Sequence, residues 1–265
     1  MSCAKDTAKG PFERRVKLAS VTLLSVLVAH VGCGSQPLDD AGGAAGTSAI
    51  AAAGSASADP MPSACSAALR QSLSLVDQVS TAAVTVLSET GAERTLYVDA
   101  SVGGLSGQDS HPWVYVALAT GTAVAVTDLE ALSSKAWDLA FKRSVVRTNG
   151  GDSGPGKGGA IRIALPWDQV DASTLGKKTL PTESWFDANC QLTLDSVMNL
   201  VTTFSGWSEY DETDHVLSAA PNVVFITAGA DSALYKVAML DYYSTPSGTH
   251  GTVAGRYKVR IAPLP

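Results

Sequence analysis

The sequence predicts an all-β domain, mostly antiparallel, with at most one or two short helices. Three observations lead there. Short runs of β-branched and aromatic residues recur from Tyr97 to the C-terminus. Several of them alternate apolar and polar residues, the period of a strand with one buried face. Helix-period stretches are scarce, and the strand–helix–strand alternation that builds a parallel sheet does not occur.

The elements follow in order. Residues 1–32 read as a signal peptide. Five basic groups lie within residues 1–17, and the uncharged run "LASVTLLSVLVAHVG" follows at Leu18. That run is shorter than the ~20 apolar residues a spanning helix needs, and it has the basic flank of a secretory leader. Small residues then precede Cys33 in "VGC", which resembles a bacterial lipobox, although His30 stands where that pattern prefers Leu. Cleavage before Cys33 and acylation of its thiol are the expectation. Residues 33–64 are rich in Ala, Gly and Ser and lack aromatic groups. Such a segment buries too little surface to offset its ordering entropy, so it reads as a flexible tether between a lipid anchor and the domain at 65–265.

Within that domain, "AALRQSLSLVDQV" (67–79) suggests one short helix, and strands follow. "RTLYVDASV" (94–102) is the first. "PWVYVALATGTAVAV" (112–126) reads as a hairpin about Thr120-Gly121. In "AWDLAFKRSVV" (136–146), period two puts Trp137, Leu139 and Phe141 on one face and Asp138 and Lys142 on the other. "AIRIALP" (160–166), "VVFITA" (223–228), "ALYKVAMLDYY" (233–243) and "GRYKVRIAPL" (255–264) complete the set. Cys3 leaves with the leader and Cys33 is acylated, which leaves Cys65 and Cys190 as a possible disulfide in an oxidising compartment.

Charge excludes one class of partner. The 265 residues carry a formal charge of −6, and residues 1–17 alone carry +3, so the remainder carries −9. A surface that acidic is repelled by phosphate backbones, and no nucleic-acid partner is expected.

The glycine-rich stretch "TNGGDSGPGKGGAI" (148–161) imitates two catalytic motifs. As a phosphate loop it lacks the Ser or Thr after Lys157, and a strand-like run follows where a helix is required. As a protease motif it reads Gly-Asp-Ser-Gly-Pro-Gly, with the oxyanion-building order disturbed. His111, on a Gly/Ser/Asp-rich loop, is the only upstream histidine of the domain. A serine hydrolase is thus a distant alternative, and a long loop between two strands is the plain reading. No zinc or calcium spacing occurs, and "EYDETDH" (209–215) reads as a solvated turn.

Taken together, these segments resemble the HmuY-like haem-binding lipoproteins. The resemblance rests on Trp137-Asp138-Leu139-Ala140-Phe141 followed by Thr148-Asn149-Gly150-Gly151-Asp152-Ser153-Gly154. "FSGWSEYD", "HVLSAAPNVVFITA" and "LYKVAMLDYYS" follow in order. It implies an all-β fold, a non-catalytic role in capturing haem for iron acquisition, and a place in the outer membrane of a Gram-negative bacterium beside a haem transporter. In the family, His or Met side chains between the glycine-rich loop and the C-terminal strands ligate the iron. His215 and Met198 are the candidates here, Trp207 and Tyr210 are candidates to line the haem pocket, and no other metal is implied. A lipoprotein of the same fold that binds a different ligand, its haem ligands lost, is the alternative.

Overall fold

The computed structural model describes Cys65, residues 73–196 and residues 200–265. The leader, Cys33, the tether and Met198 lie outside the described residues.

Twelve strands run through the described residues. They are β1 (Val84–Thr90), β2 (Glu93–Asp99), β3 (Val114–Ala117), β4 (Thr122–Ala123), β5 (Leu139–Lys142), β6 (Val145–Thr148), β7 (Gly159–Ile163), β8 (Ser208–Asp211), β9 (Val216–Ala219), β10 (Val224–Ala228), β11 (Leu234–Asp241) and β12 (Arg256–Pro263). Two single-turn helices accompany them, α1 (Asp128–Ala131) and α2 (Ala172–Leu175), each closed by a capping box. All strand pairing within the sheets is antiparallel. A six-stranded sheet has the order β1-β2-β12-β11-β10-β7, a four-stranded sheet β4-β3-β5-β6, and β8-β9 form a separate hairpin.

Alternation explains the layers. Val237 and Met239 of β11, Val259 and Ile261 of β12, and Leu96 and Val98 of β2 face Val114 and Val116 of β3 and Leu139 and Phe141 of β5, forming one core between the two sheets. The intervening residues Val224, Ile226 and Ala238 turn the other way, onto Val170 and the connection after β7. On the far side of the four-stranded sheet, Tyr115 and Ala140 meet Trp113, Trp137 and Trp185. Both sheets are therefore covered on both faces, and clean amphipathic alternation is lost.

That covering corrects three expectations. Trp137 precedes β5 and packs on the outer layer with Tyr115, at 5.0 Å between ring centroids, and not with Leu139 and Phe141. Asp138 accepts the N–H groups of Leu118 and Ala230, each at 2.7 Å, and Lys142 is only 5% exposed, so neither faces open water. The helix expected over 67–79 is absent from its described part. From Leu73 to Val79 the chain makes turns and bends, and Val76 N–H donates to the Asp128 carboxylate at 2.9 Å, a tertiary contact in place of a helical one. Cys65 and Cys190 are joined as a disulfide, with their Cα atoms 5.3 Å apart.

The hairpin at Gly121 forms as expected. Its φ of +68° is a conformation glycine adopts freely, and its N–H closes on Ala117 O at 2.8 Å.

Candidate functional site

The glycine-rich loop links β6 to β7 and is a packing device. A Cβ at Gly150 would strike the carbonyl oxygen of Gly158, and one at Gly151, where φ is +60°, would strike that of Glu183. Asn149 acts through its side chain and not through a left-handed backbone turn. It is fully buried, its side-chain amide donates to Ser134 O at 2.9 Å and Trp137 O at 2.7 Å, and its side-chain oxygen accepts from Gly156 N–H. Ser153 is buried as well, and its Oγ accepts from Arg147 Nη1 at 2.9 Å.

Arg147 is the centre of this layer. Its guanidinium lies 4.5 Å from the Trp113 ring, 5.0 Å from Trp137, 5.5 Å from Tyr115 and 6.0 Å from Trp185. Tyr115 Oη accepts from its Nη2 at 2.8 Å. Glu183, also buried, is satisfied by neutral donors: Thr148 N–H and Oγ1–H, Trp185 Nε1–H, and Thr203 N–H and Oγ1–H. The motif residues are thus spent on holding one another. Among the described residues no histidine is hydrogen-bonded to Ser153. The His111 ring is held by Gly107 O at 2.8 Å in the loop after β2.

The exposed chemistry lies at the β8-β9 hairpin. Ser208 pairs with Ala219, Tyr210 with Leu217 and Asp211 with Val216. Asp211 sets the turn by accepting the N–H groups of Thr213 at 2.7 Å and Asp214 at 3.2 Å, and these donors hold its carboxyl below the usual carboxylate range. "EYDETDH" is therefore a turn entered and left by strands. His215 ends it with a φ of +56°, a conformation that His adopts more readily than most side chains. Its Nδ1 lies 2.8 Å from Tyr210 Oη.

Tyr210 and Leu217 are opposite each other in the ladder and so share a face. Leu217 faces a cleft of about 450 Å³, together with Ala219, Leu240, Tyr243, His250 and Lys258. Tyr243 Oη accepts from Leu217 N–H at 3.3 Å and ties the hairpin to the end of β11. His250 lies beside Tyr243, with its Nδ1 3.1 Å from both oxygens of Asp241. A carboxylate only accepts, so Nδ1 of His250 carries a proton toward Asp241 and Nε2 points away from it. Metal-ligating histidines have the same carboxylate–imidazole arrangement. The hairpin thus carries a hydrogen-bonded tyrosine–imidazole pair, and the cleft that Leu217 lines holds the Tyr243 and His250 rings, 5.7 Å apart between centroids. The donor chemistry suits haem iron, for which imidazole nitrogen is a common axial ligand.

The other candidates fall differently. Trp207, expected to line a haem pocket, is 4% exposed. Its ring packs on Tyr242 and Tyr257 at 5.5 and 5.3 Å, and its Nε1 donates to Ser144 O, so the hairpin is rooted in the core at that residue. Tyr210 is 56% exposed and keeps its face open. Met239 is a core residue. His250 lies outside the sequence interval searched for ligands, and only the return of the chain through the 244–250 turn brings it beside β9. No helix among the described residues is long and apolar enough to cross a membrane, and no group of three or more His, Cys, Asp or Glu there could hold a metal ion.

No curated protein matches the chain. Solved structures resemble it at low identity. The apo HmuY analogue of Tannerella forsythia has a TM-score of 0.41 and 15% identity, covering 71% of this chain and 100% of its own. A Bacteroides vulgatus protein described as HmuY-like and haem-binding has a TM-score of 0.39 and 18% identity, covering 64% and 91%. A Bacteroides fragilis protein described as a lipoprotein has a TM-score of 0.39 and 16% identity, covering 67% and 92%. The model of the HmuY protein family matches residues 109–257, more than half of the chain, a span that takes in the Arg147 layer, the hairpin and all of the named cleft residues but Lys258. The chain belongs to the HmuY family.

Proposed function

We propose that the protein is a cell-envelope lipoprotein that binds haem and carries out no catalysis. Family membership supports the ligand, and one geometric observation carries the site: the exposed His215 imidazole at the end of the hairpin turn, oriented through Nδ1 by Tyr210. Haem supplies the iron, and His215 Nε2 is the first axial donor, with Tyr210 giving flat apolar contact. Met198 is the second donor expected from the sequence. His250 competes for that role, on the observation that Asp241 already fixes its tautomer. Acylated Cys33 anchors the protein in the outer membrane, residues 33–64 extend the domain away from the bilayer, and an outer-membrane transporter receives the haem.

Titration of haemin into the domain, followed by absorption, tests this reading. A sharpened and shifted Soret band at one equivalent is expected, and His215→Ala is expected to move it and weaken binding at least tenfold, while His111→Ala changes neither. Comparison of Met198→Ala with His250→Ala assigns the second donor. A spectrum equal to that of free haemin at every ratio overturns the haem reading and leaves the fold to another ligand.

A further inference from the structure

A second cleft, of about 300 Å³, opens on the outer face of the four-stranded sheet. Leu192, Leu194, Leu200, Val145 and Trp113 give it apolar walls. Its polar groups are unevenly buried. Lys142, 5% exposed, forms the base, whereas Gln108 and Asp109 are exposed at the rim. Lys142 Nζ donates to Ser74 O at 3.1 Å and sits 5.9 Å from the centre of the Trp113 ring. An ammonium has three donors. The other two find no acceptor among the described residues, and no described carboxylate lies within ion-pair distance of Nζ. Burial pulls the Lys142 pKa below its ordinary value, and the charges of Asp128 and Asp109 offset that only in part. Neither carboxylate pairs directly with Nζ: Asp128 accepts from Val76 N–H, Trp113 N–H and Tyr115 Oη–H, and Asp109 accepts from Ser74 Oγ at 2.7 Å out in solvent, where screening is strong.

We propose that this cleft binds a small amphiphile with one carboxylate head and an unbranched apolar tail, of the medium-chain fatty-acid class. The carboxylate meets Lys142 Nζ at the base, and the tail lies across Leu192, Leu194 and Leu200. Charge and geometry agree on this class. A neutral head would leave the buried ammonium without a direct ion pair, and a cationic one would be repelled by it. The apolar walls exclude small, strongly hydrated anions such as phosphate. The site stands independently of haem, because its argument uses neither His215 nor His250.

Calorimetric titration with decanoate, decanol and decylamine tests the proposal. Decanoate is expected to bind best and decylamine not at all. Lys142→Met keeps an unbranched stem, one atom shorter and uncharged, and is expected to weaken decanoate about tenfold or more, the scale of one charge-assisted hydrogen bond, while leaving decanol unchanged. Leu194→Glu, at the half-buried wall, is expected to abolish binding of both decanoate and decanol with the fold intact by circular dichroism. Decanoate affinity unchanged in Lys142→Met overturns the proposal, as does decanoate binding that survives Leu194→Glu.

Discussion

The Arg147 layer and the β8-β9 hairpin lie within the span matched by the family, yet they are built on opposite principles. Around Arg147, the side chains of Asn149 and Ser153 have partners inside the protein, and three tryptophans close over the guanidinium, whose Nε alone has no hydrogen-bond partner among the described residues. The hairpin has two short strands and exposed side chains, and among the described residues Trp207, Leu217, Ala219 and Tyr243 tie it to the core. A two-stranded ribbon is marginal on its own, so it depends on that root. The comparison teaches where to look for function. Buried polar groups that satisfy one another rigidify a fold but have no valence left for a ligand. The catalytic look of Gly-Asp-Ser-Gly comes from residues used up in packing, whereas the unremarkable "DETDH" turn holds an imidazole that faces outward.

Three predictions sharpen this contrast. The largest effect is expected at Gly151→Val, where a β-branched side chain meets both a positive φ and the Glu183 carbonyl. Loss of the cooperative thermal transition is expected; a variant that melts like the parent would show that the loop is not a packing element.

Next comes Asn149→Ala against His215→Ala. Removing the Asn149 side chain strands the buried Trp137 carbonyl oxygen and two half-buried groups, Ser134 O and Gly156 N–H, with a cost of about 2–4 kcal/mol at ~1–3 kcal/mol per unsatisfied group, softened by relaxation and solvent. Denaturant unfolding should record that loss for Asn149→Ala. For His215→Ala it should record a change within ~0.5 kcal/mol, as for an exposed position. Equal losses would erase the distinction between the two regions.

The smallest effect is expected on the six-stranded sheet, where Glu93 accepts from Arg260 Nε at 2.7 Å and Nη2 at 3.0 Å and from Trp167 Nε1 at 3.0 Å. The hydrogen bonds from Arg260 lead the causes that hold its carboxyl below the ordinary value near 4.5. A carboxyl with a depressed pKa in the folded state stabilises above its unfolded pKa and loses that contribution as pH falls through the folded pKa. Glu93→Gln is therefore expected to cost ~0.5–1 kcal/mol at pH 7, the scale of a solvent-screened pair, and nothing at a pH well below 4.5. A cost that persists in acid would assign the effect to packing.

Much of the fold is legible in the residues themselves. Short β-prone runs mark β2, β10, β11 and β12, Thr120-Gly121 marks its hairpin, and the ordered family segments mark the HmuY family, because these signals are local and survive any tertiary arrangement. His215 and Tyr210 are legible as site candidates for the same reason, since they lie five residues apart in one hairpin. What tertiary structure alone decided is which faces are covered and which distant residues meet. Trp137 was assigned to the wrong face because a sheet packed on both sides erases the amphipathic signal. Lys142 lies on the face opposite Leu139 and Phe141 as the period predicts, but its burial is a tertiary fact, because alternation does not say what covers a strand's second face. Trp207 looked available because its contacts with Tyr242 and Tyr257 span residues far apart in the chain. His250 enters the hairpin cleft, and Arg147 its cage, through the long-range pairing of strands, which no short window of sequence encodes.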